Sequence, residues 1–410
     1  MSMTQGLDPL SVPAEPFAER SARADAARRV TFLINSMEGG GAERAMANLL
    51  SHLRQPLSGW DVELVLLDDL PVVQDIPEWV DVVTLDGRGS MFRSARQLAR
   101  HLRRNPPSVC VSYLARSNCL NVLLSPVSSH RAVISERVQT SSHLATSRVG
   151  ALYRGITRLA YPRAASVIAV SGGVADDLVA NFAVPRDKTV VIGNPIDAAA
   201  LETAAQEPPA TALPDRFILA VGRMVVNKNF EMLIEGYDRV RPEEDLVILG
   251  EGPERPKLEA MVSARGLQGR VHMPGFVKNP YPVMARAAYL VSCSNAEGFP
   301  NTIIEAMTLG LPVIATDCPS GPFDVLRGEG AREGGKRGNA RDGLLIPMND
   351  VDALADGMMH YSVAVQRADY AARAKERARD FGVETVVEAY LNVIEADQPV
   401  VSRPERDSSQ

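Results

Sequence analysis

Three observations predict an α/β fold of two consecutive Rossmann-like domains. Short β-branched runs alternate with helix-length amphipathic stretches, the pattern of parallel strands joined by crossover helices. That series stops near Asn194-Pro195 and restarts at Phe217, beyond a segment rich in Ala, Pro and Glu. A chain of 410 residues also exceeds one comfortable core, at about 150 residues per domain.

The elements follow in order. Residues 1–28 carry Asp8, Glu15, Glu19 and Asp25 and no apolar stretch, so a disordered tail is expected, not a signal peptide or anchor. The first domain, residues 29–197, opens with a strand at Val30–Ile34. A Gly39–Gly41 run then leads into a helix from Ala42 to about Leu53. Further strands are expected at 61–67, 82–85, 109–113, 131–135 and 166–170. Residues 198–215 read as an interdomain linker. The second domain, residues 216–382, has strands at 217–221, 245–250, 270–273, 289–292, 312–316 and 344–347. A surplus helix at 383–394 (segment 383–397) follows the second sheet, and residues 398–410 form a polar tail expected to be disordered. Ligands of such open sheets bind beyond the carboxyl ends of the strands, so two domains set face to face leave a binding cleft.

Composition narrows the class. Apolar residues make up 45% of the chain, and no apolar run reaches the roughly 18 residues that span a bilayer. Cys110, Cys119, Cys293 and Cys318 lack metal-ligand spacing and read as buried thiols of a reducing cytosol. The net charge of −6 hides a split: between Arg88 and Arg163 stand thirteen arginines and one acid, Glu136. That window is +12, leaving −18 elsewhere, so one half is expected to meet something anionic.

The segment Ser294-Asn-Ala-Glu-Gly-Phe-Pro-Asn-Thr-Ile-Ile-Glu-Ala-Met is the most informative. Pro300 is expected as the first helical residue, after a loop that holds Glu297 and Gly298. Backbone N–H groups around Gly298, Phe299, Asn301 and Thr302 would then face a ligand phosphate at a positive helix end. Glu305 sits among Ile303, Ile304 and Met307, where a carboxylate is costly unless hydrogen-bonded; ribose hydroxyls are suitable donors. Glu297 can accept from hexose hydroxyls. The alternative for both acids is a helix cap and an internal salt bridge. In Val221-Gly-Arg-Met-Val-Val-Asn-Lys, Gly222 leads to Arg223 and Lys228, two cations able to neutralise a departing diphosphate. Gly250-Glu-Gly-Pro, with Gly252, permits close backbone approach. The turn from Gly275 through Phe276 and Val277 offers irregular backbone for reading a base. Ordinary turn chemistry accounts for these glycines equally well.

In order and spacing these segments resemble the retaining glycosyltransferases of family 4, which have the GT-B fold. The matching motifs are E-x7-E (Glu297, Glu305), G-R-x4-K (Arg223, Lys228), G-E-G-P, the N-P-Y-P turn and Leu311-Pro-Val-Ile-Ala-Thr-Asp. The resemblance spans roughly Arg29 to Glu395 and is strongest from Phe217 to Asp324. It implies a nucleotide-diphosphate-sugar donor, with Arg223 and Lys228 on the diphosphate, Glu297 on the sugar and Glu305 on the ribose. The last helix should return to the first domain. Retention of anomeric configuration without a metal is also implied, the departing phosphate taking the acceptor proton; no cofactor is expected. Asp350-Val-Asp352 has metal-motif spacing but sits at a helix start, where capping is the expected job.

On the acceptor side, Glu38-Gly-Gly-Gly-Ala-Glu-Arg resembles the family's glycine-rich loop, implicating Gly40, Gly41, Glu43 and Arg44. Where the family often presents a histidine, this chain has Ser135-Glu136-Arg137, and His130 and His143 fall elsewhere. Glu136 is either an acceptor-side group or a structural ion-pair partner. Arg93, Arg96, Arg100, Arg103 and Arg104 share one helix, expected to turn Phe92, Leu98 and Leu102 inward. Arg154 and Arg158 similarly accompany Leu152, Ile156 and Leu159. These faces suit anionic headgroups at about 1 kcal/mol per cation. Aromatic residues for base stacking are sparse, which disfavours nucleic acid.

The expected function is transfer of a hexose or N-acetylhexosamine to a lipid-linked glycan, such as a polyprenyl-diphosphate-linked acceptor, at the inner face of the cytoplasmic membrane. Glu-Gly-Phe-Pro-Asn and Asp317-Cys-Pro-Ser-Gly-Pro resemble members that use galactose-type or N-acetylhexosamine donors, while Asp324 stands where many members carry Glu. A sugar-nucleotide epimerase of the same fold, or a non-catalytic sugar-nucleotide-binding module, remains as an alternative.

Overall fold

The computed structural model describes residues 28–145, 150–327 and 340–396. Seven parallel strands form the first sheet: β1 (Arg28–Ile34), β2 (Trp60–Leu66), β3 (Asp81–Thr84), β4 (Val109–Tyr113), β5 (Arg131–Glu136), β6 (Ser166–Ala169) and β7 (Thr189–Val191). The second has six: β8 (Phe217–Val221), β9 (Asp245–Leu249), β10 (Val271–Gly275), β11 (Leu290–Ser292), β12 (Val313–Thr316) and β13 (Leu344–Ile346). Their spatial orders are β3-β2-β1-β4-β5-β6-β7 and β10-β9-β8-β11-β12-β13. Each order reverses once, between β1 and β4 and between β8 and β11. These are the switch points where adjacent loops diverge and open a crevice.

Strand interiors such as Phe32–Ile34 and Leu246–Leu249 are buried on both faces, hence their unbroken apolar runs. β7 was not expected. It is a three-residue, half-buried edge strand whose Thr-Val-Val run is too short to register as periodic. The segment expected as an interdomain linker opens with a helix, Ala198–Ala204, capped by Asp197, whose side chain accepts from the Ala200 N–H. Asp350 likewise caps the helix Val351–Ser362 through the Ala353 N–H, 2.8 Å away.

The helix Val383–Glu395 returns to the first sheet. It buries Val383, Val386, Val387, Tyr390, Leu391, Val393 and Ile394 in one cluster with Phe32, Leu64, Val111 and Leu49. Polar contacts fix its register. Tyr113 donates to the Tyr390 hydroxyl at 2.6 Å, and Arg131 donates to the terminal carbonyls of Val393 and Ile394. A cation at a helix C-terminus satisfies carbonyls that have no partner within the helix. The two crossings between domains run side by side, with the Ile196 N–H donating to the Phe381 carbonyl at 2.9 Å. All four cysteines are buried thiols, and no described helix is long and apolar enough to cross a membrane.

Candidate donor-binding cleft

The loops after β8 and β11 flank the second sheet's switch point and are stapled together. The Asn295 N–H donates to the Asn227 carbonyl, and the Asn227 amide donates to the Ala296 carbonyl, both at 2.8 Å. Steric fit explains the glycines beside them. A Cβ on Gly250 would lie 1.9 Å from the Gly222 carbonyl oxygen, and one on Gly252 would lie 2.3 Å from that of Met224. These glycines interlock two loops. Gly222 has a further use: the Lys228 stem packs over it, 3.3 Å from where a Cβ would stand.

Lys228 pairs with Glu297 at 2.5 Å, and both side chains are largely buried. Glu305 projects from the helix Asn301–Thr308 and is 5% exposed. Its partner comes from the other domain: Arg44 donates to Oε1 at 2.9 Å. The Tyr281 hydroxyl stands 3.5 Å from the same oxygen. Burial pushes the Glu305 carboxyl above the usual range, opposed by Arg44 and Tyr281. Burial, reinforced by Glu305, raises the Tyr281 phenol to about 12. Arg44, expected on the acceptor side, thus reaches across the cleft from the first domain to Glu305. Gly41 precedes it and faces Asn301, whose side-chain amide lies 3.8 Å from the position of an added Cβ.

Helix entry differs from expectation in two respects. Pro300 precedes the helix instead of opening it, and the Asn301 N–H is taken by the Phe299 carbonyl at 3.0 Å. Fewer amides therefore remain for a phosphate than the motif suggested. Arg223 is exposed and pairs with no carboxylate among the described residues, whereas Lys228 lines the cleft with Arg44, Glu297 and Thr302. The enclosed volume there is about 200 Å³. Phe276 is 76% exposed, and Val277 packs into the second domain's core.

The two domains meet backbone to backbone. A Cβ on Gly298 would stand 2.0 Å from the Arg137 carbonyl oxygen, so the Glu297 loop lies directly on residues 137–138. Asn194 donates to the Asn301 side chain at 2.5 Å. Phe299 reaches Gly193 and stacks edge-on against Phe381 at 5.5 Å. Asp324 accepts from the Gly173 N–H at 3.1 Å. Tyr281, Asn194 and Tyr390 were not singled out from sequence; their partners lie 24, 107 and 277 residues away, beyond any local pattern.

Of the remaining acceptor-side candidates, Glu136 and Arg137 are turned inward. Glu136 is 1% exposed and accepts from Tyr161 at 2.6 Å and from the Arg137 N–H at 3.1 Å. Burial raises its pKa, opposed by those donors and the Val138 N–H. The carboxylate therefore holds the 137–138 turn in place. Arg137 lies over the Tyr113 ring at 4.7 Å, and Nη1 donates to Ser135 and Tyr390. Glu43 curls back over Gly40 at its own helix start. His130 is buried between Asn121 and Ser128, at the opposite end of β5. His143 is exposed.

The basic window divides. Arg116 pairs with Asp68, Arg131 caps the final helix, Arg88 and Arg93 pair with Asp86, and Arg154 stacks on Phe182. Arg96, Arg100, Arg103, Arg104 and Arg158 are exposed; Arg148 lies outside the described residues. Their helices, Met91–Arg104 and Gly150–Ala160, pack on either side of the helix Ala115–Ser128. Three expected core residues face outward: Phe92 is 80% exposed, Leu152 65% and Leu159 52%. Leu98 and Leu102 fill the core contact, and Phe92 lies off their line.

Residues 39–200 match the family model described as Glycosyltransferase Family 4, and residues 215–362 match Glycosyl transferases group 1. One relative is the N-acetylgalactosamine-N,N'-diacetylbacillosaminyl-diphospho-undecaprenol 4-alpha-N-acetylgalactosaminyltransferase of Campylobacter jejuni. It is 29% identical over 370 residues, covering 86% of this chain and 96% of that protein. The lipopolysaccharide 1,6-galactosyltransferase of Salmonella typhimurium is 32% identical over 39% of this chain and 45% of its own. Among solved structures, Anabaena HepE in complex with UDP superposes with a TM-score of 0.70 at 18% identity. That match covers 90% of this chain and all of HepE. The lipopolysaccharide outer core galactosyltransferase WaaB in apo form gives 0.68 at 20%, over 90% of this chain and 99% of its own. Both share the two-sheet GT-B fold.

Proposed function

The chain belongs to glycosyltransferase family 4 and transfers a sugar from a nucleotide donor; from that premise we propose a metal-independent, retaining hexosyl- or N-acetylhexosaminyltransferase. One observation carries the reading. Two buried or near-buried acids, Glu297 and Glu305, are each held by a cation at the second sheet's switch point. Ribose hydroxyls suit Glu305, hexose hydroxyls suit Glu297, and Lys228 with Arg223 suits the diphosphate. In the transfer, the bond from the anomeric carbon to the phosphate oxygen breaks and one to the acceptor hydroxyl oxygen forms on the same face. The departing phosphate takes the hydroxyl proton, so no enzymic nucleophile is required. Cations fixed beside the leaving group stabilise charge that develops only in the transition state.

The acceptor we propose is a lipid-linked glycan at the inner face of the cytoplasmic membrane. The full-length Campylobacter relative, named for a diphospho-undecaprenol acceptor, supports this. So do the exposed Arg96, Arg100, Arg103 and Arg158 beside outward-facing Phe92, Leu152 and Leu159. Apolar side chains flanked by cations are the composition of a surface that enters a headgroup layer. The epimerase alternative would use a histidine at the cleft, and among the described residues none lines this space.

Transfer measured with Glu305→Ala and Lys228→Ala should fall at least about a hundredfold. Near-wild-type rates in both would overturn the assignment. A thermal-shift screen with UDP-, GDP- and ADP-sugars identifies the donor. Activity should survive chelator, and NMR of the product should show the donor's anomeric configuration.

A further inference from the structure

Arg44 and Glu305 form an ion pair whose members differ in freedom. Glu305 is fixed on a buried helix, with 7% of its side chain exposed, whereas Arg44 is 49% exposed on a long rotatable stem. Arg44 also lines the same enclosed space as Lys228 and Glu297. That space, about 200 Å³, lies below the roughly 300–1,000 Å³ of sites that take ligands of this kind. The guanidinium that crosses the cleft stands beside the space a nucleotide sugar would enter, and it is the movable member of the pair. A carboxylate as buried as Glu305 must gain another donor when it leaves.

We propose that Arg44 exchanges partners on donor binding: ribose hydroxyls take the Glu305 carboxylate, and the freed guanidinium takes the donor diphosphate. Arg44 is then a donor-side residue supplied by the first domain. This rests on the reading of Glu305 as the ribose contact. Charge pairing supports it. Without donor, two cations, Arg44 and Lys228, satisfy two acids, Glu305 and Glu297. A sugar nucleotide brings neutral hydroxyl donors for the acids and an anionic diphosphate for the cations. Every charge keeps a partner, and the planar guanidinium matches phosphate oxygens in bidentate geometry. The exchange also ties leaving-group stabilisation to approach of the two domains, because the cation and the ribose site belong to different sheets.

The test compares UDP and GDP with uridine and guanosine, by calorimetry or saturation-transfer NMR, on the wild type and on Arg44→Ala. For the base that binds, Arg44→Ala should weaken the diphosphate by about tenfold or more, with Arg44→Lys intermediate. The nucleoside should bind no more weakly, since its competitor for Glu305 has gone. Equal weakening of nucleoside and diphosphate would make Arg44 a mere prop for Glu305, and the exchange would be wrong. Unchanged diphosphate affinity would return Arg44 to the acceptor side and would equally overturn it. Glu305→Gln separates the premise from the inference. It should weaken the nucleoside; if it does not, the ribose assignment itself fails and the exchange with it.

Discussion

Gly298→Ala tests whether the cleft depends on direct backbone contact between the domains. An added Cβ would lie 2.0 Å from the Arg137 carbonyl oxygen, 2.8 Å from its carbon and 2.9 Å from the Val138 Cα. All three neighbours are main chain, so no rotamer relieves the clash. Reaching an ordinary 3.4 Å contact from 2.0 Å requires a separation of about 1.4 Å between the Glu297 loop and the 137–138 turn. Misplacement of catalytic groups by about 1 Å can cost a hundredfold in rate. Because the 137–138 turn is pinned by the buried Glu136, the shift should fall on the donor loop. The expected result is a fall in transfer of about a hundredfold with the fold retained. Overpacking by one methyl costs about 1–3 kcal/mol, or a few degrees in Tm. Steady-state transfer and thermal melting on the same preparation decide the matter. A variant with wild-type kcat and KM would show that the contact is not part of the working enzyme.

Further outcomes follow from other contacts. Flotation should favour anionic over neutral liposomes, and Phe92→Ser or Leu152→Ser should each reduce binding about tenfold; indifference to lipid charge would sink the membrane reading. His130, lowered to about 4 by burial, is neutral in the folded chain while the unfolded chain takes a proton near pH 6.5. Stability is therefore present above about pH 6.5 and lost as pH falls toward 4, by about 2 kcal/mol between pH 7 and 5. Urea titrations of the wild type and His130→Gln at both pH values should differ by that amount, and parallel pH profiles would contradict it. Tyr390→Phe removes the acceptor of two buried donors, Tyr113 and Arg137 Nη1, and should cost about 1–3 kcal/mol in the same assay. A loss below about 0.5 kcal/mol would show that the final helix does not depend on this network.

Most strand positions were legible because a strand buried on both faces is largely an apolar run, and such runs stand out; the three-residue edge strand β7 was too short to do so. The helix at Ala198–Ala204 was missed: its signal is Asp197 ahead of an alanine run, but the Pro- and Glu-rich composition nearby masked it. Phe92 misled for a different reason. Periodicity marks which residues are apolar, not which of them finds a neighbour, and Leu98 and Leu102 already fill the contact. The acids at 297 and 305 announced themselves by sitting where a carboxylate is expensive. Their partners did not: Arg44 lies 261 residues from Glu305, and only the meeting of two domains brings them together.

The motif spacing can now be given two distinct physical causes. Gly250, Gly252 and Gly298 are required because backbone meets backbone, within the second domain for the first two and between domains for the third. Glu297, Glu305, Lys228 and Arg44 are required for a different reason, since their charges would be costly at these positions without partners. A purely structural site would retire such charges into a dry apolar contact, which is often as stable. Here they line or adjoin an enclosed space at a switch point, with each cation on an exchangeable side chain. Pairs arranged this way keep the empty cleft neutral and leave each charge available to a ligand of the opposite kind. Gly298 sets how closely the two domains can approach, and the charges determine what the approach is for.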